Sequence, residues 1–240
     1  MKCLLIAVLA GIPIMLALGQ GHDMLGNKWP ERLSTRGDIK SAKLDVESID
    51  IWNLPIEDYP LLAKFTRVKN VMLDSREGTF ATDEKLKALA ALDLTNLAGI
   101  VMVNCRLVTD EGIRNLARIR CLKGLELEGT AITDEACAVM SAKMNLTGIN
   151  VANCRGVTLK GIKALATSDT LREFTFSAEK LTQKEVLGLV TSFRNVTWCQ
   201  IVDPEQKLDA ELIKATGQEN KMHIVVKRTG ALQDKYGTPD

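Results

Sequence analysis

Apolar positions in this chain return in a fixed unit about two dozen residues long. Val46, Val68, Leu97, Leu122, Leu146, Leu171 and Val196 are each followed by apolar residues three and five places on, and an eighth start falls at Met222, at intervals of 22 to 29 residues. The following pairs are Ile49 and Ile51, Val71 and Leu73, Ile100 and Met102, Leu125 and Leu127, Ile149 and Val151, Phe174 and Phe176, and Cys199 and Ile201. At the last start Val225 fits and Lys227 does not. A spacing of two is that of a short strand, whose alternate side chains share a face. The second half of each unit changes period: Leu86, Leu89 and Ala90, then Ile113, Leu116 and Ala117, Ile162, Leu165 and Ala166, and Val186, Leu189 and Val190 fall at helical spacing. Thr82, Thr109, Thr133, Thr158 and Thr182 stand where those helices begin. A threonine oxygen there accepts an otherwise unpaired amide, and the acids that often follow sit at the positive end of the helix dipole. Glu185, three places after Thr182, predicts a capping box. One such unit cannot bury its own apolar face, so the units must stack strand beside strand into a parallel sheet, with the helices as crossovers.

Three successive units repeat one another most closely: LAGIVMVNCRLVTDEGI from Leu97, LKGLELEGTAITDEAC from Leu122, and LTGINVANCRGVTLKGI from Leu146. This resembles the leucine-rich repeat family in its cysteine-containing subtype, LxxLxLxxCxxITDxGL, with Cys105 and Cys154 in the cysteine slot. The Val46 unit lacks the TDxG motif, and the Val68 unit carries extra residues around Arg76-Glu77-Gly78. The resemblance implies an α/β leucine-rich repeat solenoid of about seven to eight repeats over residues 46–228. Its strands would line a concave sheet, its helices the convex side, and its role would be protein recognition rather than catalysis.

The flanks read differently. Lys2, the apolar stretch Leu4 to Leu18 and the small residues at Ala17-Leu18-Gly19 make residues 1–19 a signal peptide, with cleavage expected before Gln20. Gly11 and Pro13 interrupt a run already shorter than the roughly 20 residues of a spanning helix, so no stable membrane insertion is expected after cleavage. That places the chain in the periplasm, the cell envelope or the extracellular space. Residues 20–45 are polar and punctuated by glycine and proline, reading as a linker or N-terminal cap. Residues 229–240 read as a mobile tail.

Composition narrows the function classes. A net charge of +1, with no run of lysine or arginine, argues against a global electrostatic attraction to nucleic acid or acidic membranes, and aromatics at 4% leave few platforms for stacking bases. The cysteines show no CxxC pair or Cys/His cluster, so no metal is expected. Cys105 and Cys154 lie two units apart, roughly 10 Å, too far for a disulfide. Cys137 and Cys199 fall in apolar slots, which leaves Cys121, at a unit junction, as the accessible thiol. The histidines, His22 and His223, have no evident nucleophile partner, and no phosphate-binding glycine loop is present. The chain is therefore read as non-enzymatic, with no cofactor. Asn145-Leu146-Thr147 and Asn195-Val196-Thr197 fit the glycosylation sequon but are read as chance occurrences.

A partner would meet the outward strand positions. The register points to Asp50, Trp52, Met72, Asp74, Val101, Glu126, Glu128, Asn150, Glu173, Trp198 and Gln200 as partner-binding residues. Five of these are acidic and none is basic, which favours a basic or amide-rich protein partner, with Trp52 and Trp198 as anchors at opposite ends. Gly99, Gly124 and Gly148 share one position and leave a bare track. Two alternatives use the same scaffold: a substrate-receptor adaptor of the ubiquitin-ligase type, which would need a helix bundle before the repeats, and a secreted effector or enzyme inhibitor.

Overall fold

The computed structural model describes residues 30–73 and 80–227 and, upstream, the backbone of a short antiparallel pair, β1 (Val8–Leu9) with β2 (Ile12–Pro13). Most of the segment read as a signal peptide, His22, Asp74 and the C-terminal tail lie outside the described residues.

Nine strands form one sheet in strict chain order: β3 (Glu31–Leu33), β4 (Ser48–Ile51), β5 (Asn70–Met72), β6 (Gly99–Val101), β7 (Gly124–Glu126), β8 (Gly148–Asn150), β9 (Glu173–Ser177), β10 (Trp198–Val202) and β11 (His223–Lys227). Every neighbouring pair is parallel. Between strands run α1 (Arg36–Ser41), a 3-10 helix (Ile56–Lys64), α2 (Asp83–Ala90), α3 (Asp110–Leu116), α4 (Asp134–Lys143), α5 (Leu159–Ala166), α6 (Gln183–Ser192) and α7 (Ala210–Glu219). The core lies between sheet and helices. Leu125 pairs with Ile149 and Ile149 with Phe174, all buried, so side chains about two dozen residues apart do stack on adjacent rungs. The fold is a leucine-rich repeat solenoid.

Two boundaries differ from the periodicity. The sheet begins one rung earlier, at β3, which pairs with β4 through Leu33 and Ile51; α1 follows, capped by Thr35 with Asp38 completing a capping box. At the far end Cys199 pairs with Ile224, so Ile224 and Val226 occupy the inward positions and Val225 does not. The cause is the tight exit from α7, where Lys221 takes φ +58° and the Met222 amide donates to the Gly217 carbonyl. That turn places Met222 in the core one residue ahead of the apparent phase. Lys227 consequently lies on the outward side. In the unit without a TDxG motif, Pro60 removes a backbone donor, and the crossover is 3-10 rather than α.

The motif acids do more than favour the helix dipole. Asp83 accepts from the Thr109 amide (2.9 Å) and hydroxyl (2.6 Å) of the next unit, Asp110 from those of Thr133 (2.8 and 2.7 Å), and Asp134 from those of Thr158 (2.8 and 2.7 Å). Asp110 also accepts from Ala136 and Asp134 from Gly161. Each carboxylate thus clamps the start of the following helix. Where the chain has Leu159 instead of aspartate the clamp is missing, and Thr182 is held within its own helix by Glu185. After the strands the chain turns left-handed at equivalent places, with φ +47° at Asn53, +57° at Asn104 and Asn153, and +72° at Gly129, residue types that tolerate this region.

Candidate functional site

Register places the outward strand residues in rows about 4.8 Å apart from rung to rung. The centre row runs Arg32, Asp50, Met72, Val101, then Glu126, Asn150, Thr175, Gln200 and Val225. Its N-terminal end is an ion pair, Arg32 Nε to Asp50 Oδ2 at 2.9 Å. Half-buried Met72 and Val101 make an apolar step, and the row then becomes acidic and amide-bearing.

Glu126 and Glu128 lie two residues apart on the same side of β7 and its extension, and both are buried. Asn150, one rung on, donates from Nδ2 to Glu126 Oε1 and, at 3.5 Å, to Glu128 Oε2, while its own oxygen accepts from the Ala152 amide at 2.8 Å. Asn153 donates to Glu128 Oε1 at 2.9 Å, its backbone amide to Ser177 Oγ at 2.8 Å. Burial, reinforced by the charge of Glu128, holds the Glu126 carboxyl well above the usual carboxylate range. Burial also raises Glu128, against the hydrogen bonds from Asn153 and Asn150 and the positive charge of Lys227. A proton or a positively charged guest relieves this pair, and the amides orient it for a donor. Further along the row the Gln200 amide nitrogen is buried without a hydrogen-bond partner among the described residues.

The structure brings Asp50, Met72, Val101, Glu126, Asn150 and Gln200 into one line, with Glu128 and Trp52 beside it and Glu173 and Trp198 at the strand starts. Three expectations change. Asp50, Glu126 and Glu128 are buried and hydrogen-bonded rather than freely exposed, because Arg32, Asn150 and Asn153 on the neighbouring rungs reach across and cover them. The face carries bases, since the extra rung supplies Arg32 and the shifted register supplies Lys227. Trp52 is no bare anchor: Phe80 packs edge-on at 5.3 Å and the Arg32 guanidinium lies 4.9 Å over its ring. Asn153 was missed from sequence, although asparagine at a left-handed turn directly after a strand marks a side chain fixed beside that face.

The thiols are placed for packing. Cys105 donates to the Leu73 carbonyl at 3.2 Å and Cys154 to the Leu127 carbonyl at 3.0 Å, each reaching one rung back. Burial pushes the Cys137 thiol up to about 12 and Cys154 to about 11, and raises Cys199 further. Cys121 is half-exposed. His223 is exposed at the start of β11. Among the described residues no group of His, Cys, Asp or Glu could hold a metal ion, and no helix is long and apolar enough to cross a membrane.

No family model matches the chain, and no curated protein does. Solved structures do. A chain in the crystal structure of the yeast Rad7 and Elc1 complex is similar, with a TM-score of 0.46 and 15% identity over 75% of this chain and 54% of that one. The tropomodulin C-terminal domain of Caenorhabditis elegans is similar at a TM-score of 0.37 and 12% identity, covering 69% of this chain and 90% of that one. This chain spans about half the length of the first.

Proposed function

We propose that this chain is an exported, non-catalytic recognition protein whose concave face binds a protein segment presenting basic or amide side chains. The observation that carries the reading is the Glu126–Glu128 pair. These are two buried carboxylates bridged by Asn150 and lying in a row that continues through Thr175 to the unpartnered amide of Gln200. An ammonium, guanidinium or amide group entering there gains charge-assisted hydrogen bonds that water supplies poorly to a buried pair. An acidic segment meets like charge. Burial raises the thiols of Cys137, Cys154 and Cys199 and keeps them as neutral packing groups, which supports a binding role for the face they lie behind. The apolar stretch Leu4–Leu18 behind Lys2 supports export.

The test is a peptide-display selection on the full chain, repeated on Glu126→Gln and Glu128→Gln. Enrichment of Lys, Arg, Asn and Gln by the wild type, with the cationic preference lost in the variants, is expected. Selection of acidic peptides, or identical preferences in all proteins, overturns the reading. Export is tested separately by fractionating the producing cells and sequencing the mature N-terminus.

A further inference from the structure

Cations dispersed through the sequence converge on one edge of the sheet. The amides of Lys69, Ala98, Lys123, Thr147, Arg172, Thr197 and His223 each donate to the residue one rung back in the same line, from Glu47 onward. That line is the edge at which strands begin. Lys69, Lys123 and Arg172 take alternate places in it, about 10 Å apart. Arg118 and Arg120 stand in the loop before β7, and Arg194 in the loop before β10; all of these but half-exposed Lys123 are exposed. Glu47 offsets Lys69 (3.0 Å) and Asp169 offsets Arg194 (3.6 Å), whereas Arg118, Arg120, Lys123 and Arg172 form no ion pair among the described residues. Helix dipoles favour cations at helix ends. They do not account for Lys69, Lys123 and Arg172, which lie past the helices at strand entries.

Other features of this edge choose among polyanions. Leu44, 60% exposed, projects from the turn before β4. Phe65 and Phe193, in the edge loops, are buried, and Trp198 is half-buried, which leaves little among the described residues for a nucleobase to stack on. The described chain also enters the sheet here: β3 runs parallel to its neighbours, so Glu31 is at this edge.

We propose that this edge docks the protein on an anionic lipid bilayer, with Arg118, Arg120, Lys123 and Arg172 contacting headgroup phosphates and the concave face left open. It stands independently of the concave-face reading. The experiment is sedimentation of the full chain with vesicles of phosphatidylcholine alone and of phosphatidylcholine mixed with phosphatidylglycerol. Binding to the first measures the apolar segment; the excess on the second measures the edge. Wild type is expected to show a salt-sensitive excess, falling roughly five-fold for each cation removed and about 100-fold or more in R118Q/R120Q/K123Q/R172Q. R106Q/R155Q/K180Q, which removes cations from the opposite edge, is expected to bind as wild type. If the quadruple variant melts early, K123Q and R172Q singly give the same reading at smaller size. Equal binding of wild type to both vesicles, an unchanged excess in the variants, or displacement of the vesicles by duplex DNA at equal phosphate overturns the proposal.

Discussion

Replacing Asp110 with alanine tests whether neighbouring repeats are held together by their motif acids. Asp110 accepts from the Thr133 amide, the Thr133 hydroxyl and the Ala136 amide, so one side chain serves two of the orphan donors at the start of α4. Hydrogen bonds to a charged acceptor contribute about 1.5 to 3 kcal/mol each, but these share one carboxylate and the site is half-exposed, so water replaces part of the loss. The dipole contribution at the start of its own helix is about 0.3 to 1 kcal/mol. Together the expected cost of Asp110→Ala is about 2 to 4 kcal/mol, and for a chain of this length roughly 2 to 4 °C of melting temperature per kcal/mol. Asp110→Asn keeps an acceptor for the two amides and is expected to cost about 1 kcal/mol. Asp93, exposed and outside any clamp, is the control, and Asp93→Ala is expected to change stability by less than about 0.5 kcal/mol. Urea titration followed by far-ultraviolet circular dichroism gives the midpoints, and amide exchange locates the loss at the first turn of α4. Equal midpoints for Asp110→Ala and Asp93→Ala would refute the clamp.

The Glu126–Glu128 pair sets a pH dependence. Both folded-state values are raised above the ordinary carboxylate range, so the pair's relative stabilisation is fully present below the unfolded value of about 4.5 and is lost as pH rises through the folded values. Glu126→Gln is therefore expected to flatten the decline in urea midpoint as pH rises above the unfolded carboxylate value, and to be the more stable protein once the wild-type carboxyl has ionised; a steeper decline or a less stable variant there contradicts this. Gly129→Ala forces a side chain into φ +72° against Asn104 and is expected to lower stability by about 1 to 3 kcal/mol, whereas Gly129→Asn, the residue type at equivalent turns, is expected to cost less. A chromogenic disulfide reagent is expected to react with Cys121 first among the five described cysteines, and Cys121→Ser to remove that phase; fast reaction of Cys137 or Cys199 would contradict their burial.

Much of the fold was legible because a repeat writes the same instruction several times. Inward pairs such as Ile100 and Met102 or Phe174 and Phe176, and the threonine caps with the Glu185 capping box, were all readable from spacing. The first rung escaped because Glu31 occupies the position matching Ile49, a polar residue tolerated where the terminal strand has no further neighbour to cover it. Thr35 followed by Asp38 was its readable signal. The last register escaped because a turn, not a period, sets it. At the candidate site the direction of each side chain was legible but not its accessibility: Glu126 and Glu128 belong to the outward face, yet the Asn150 and Asn153 amides of the next rung enclose them.

Net charge is the quantity that hid most. A sum of +1 describes a molecule whose charges are sorted by the fold, not an electrically bland one. Parallel strands force each helix to start at one edge and finish at the other, so acids such as Asp110, Glu111, Asp134 and Glu135 gather at the first edge because helix starts favour them. The strand-entry cations gather at the second through a different cause, the stacking that turns residues some 50 apart in sequence into neighbours about 10 Å apart. Lys69, Lys123 and Arg172 are invisible as a group in any local window of sequence. The same stacking builds the carboxylate and amide row on the concave face. A peptide bound in the groove and a bilayer bound at the strand-entry edge therefore make separable demands: Glu126→Gln should leave vesicle binding intact, and the edge variant should leave peptide selection intact. Loss of both in either protein would mean that one surface is being read twice.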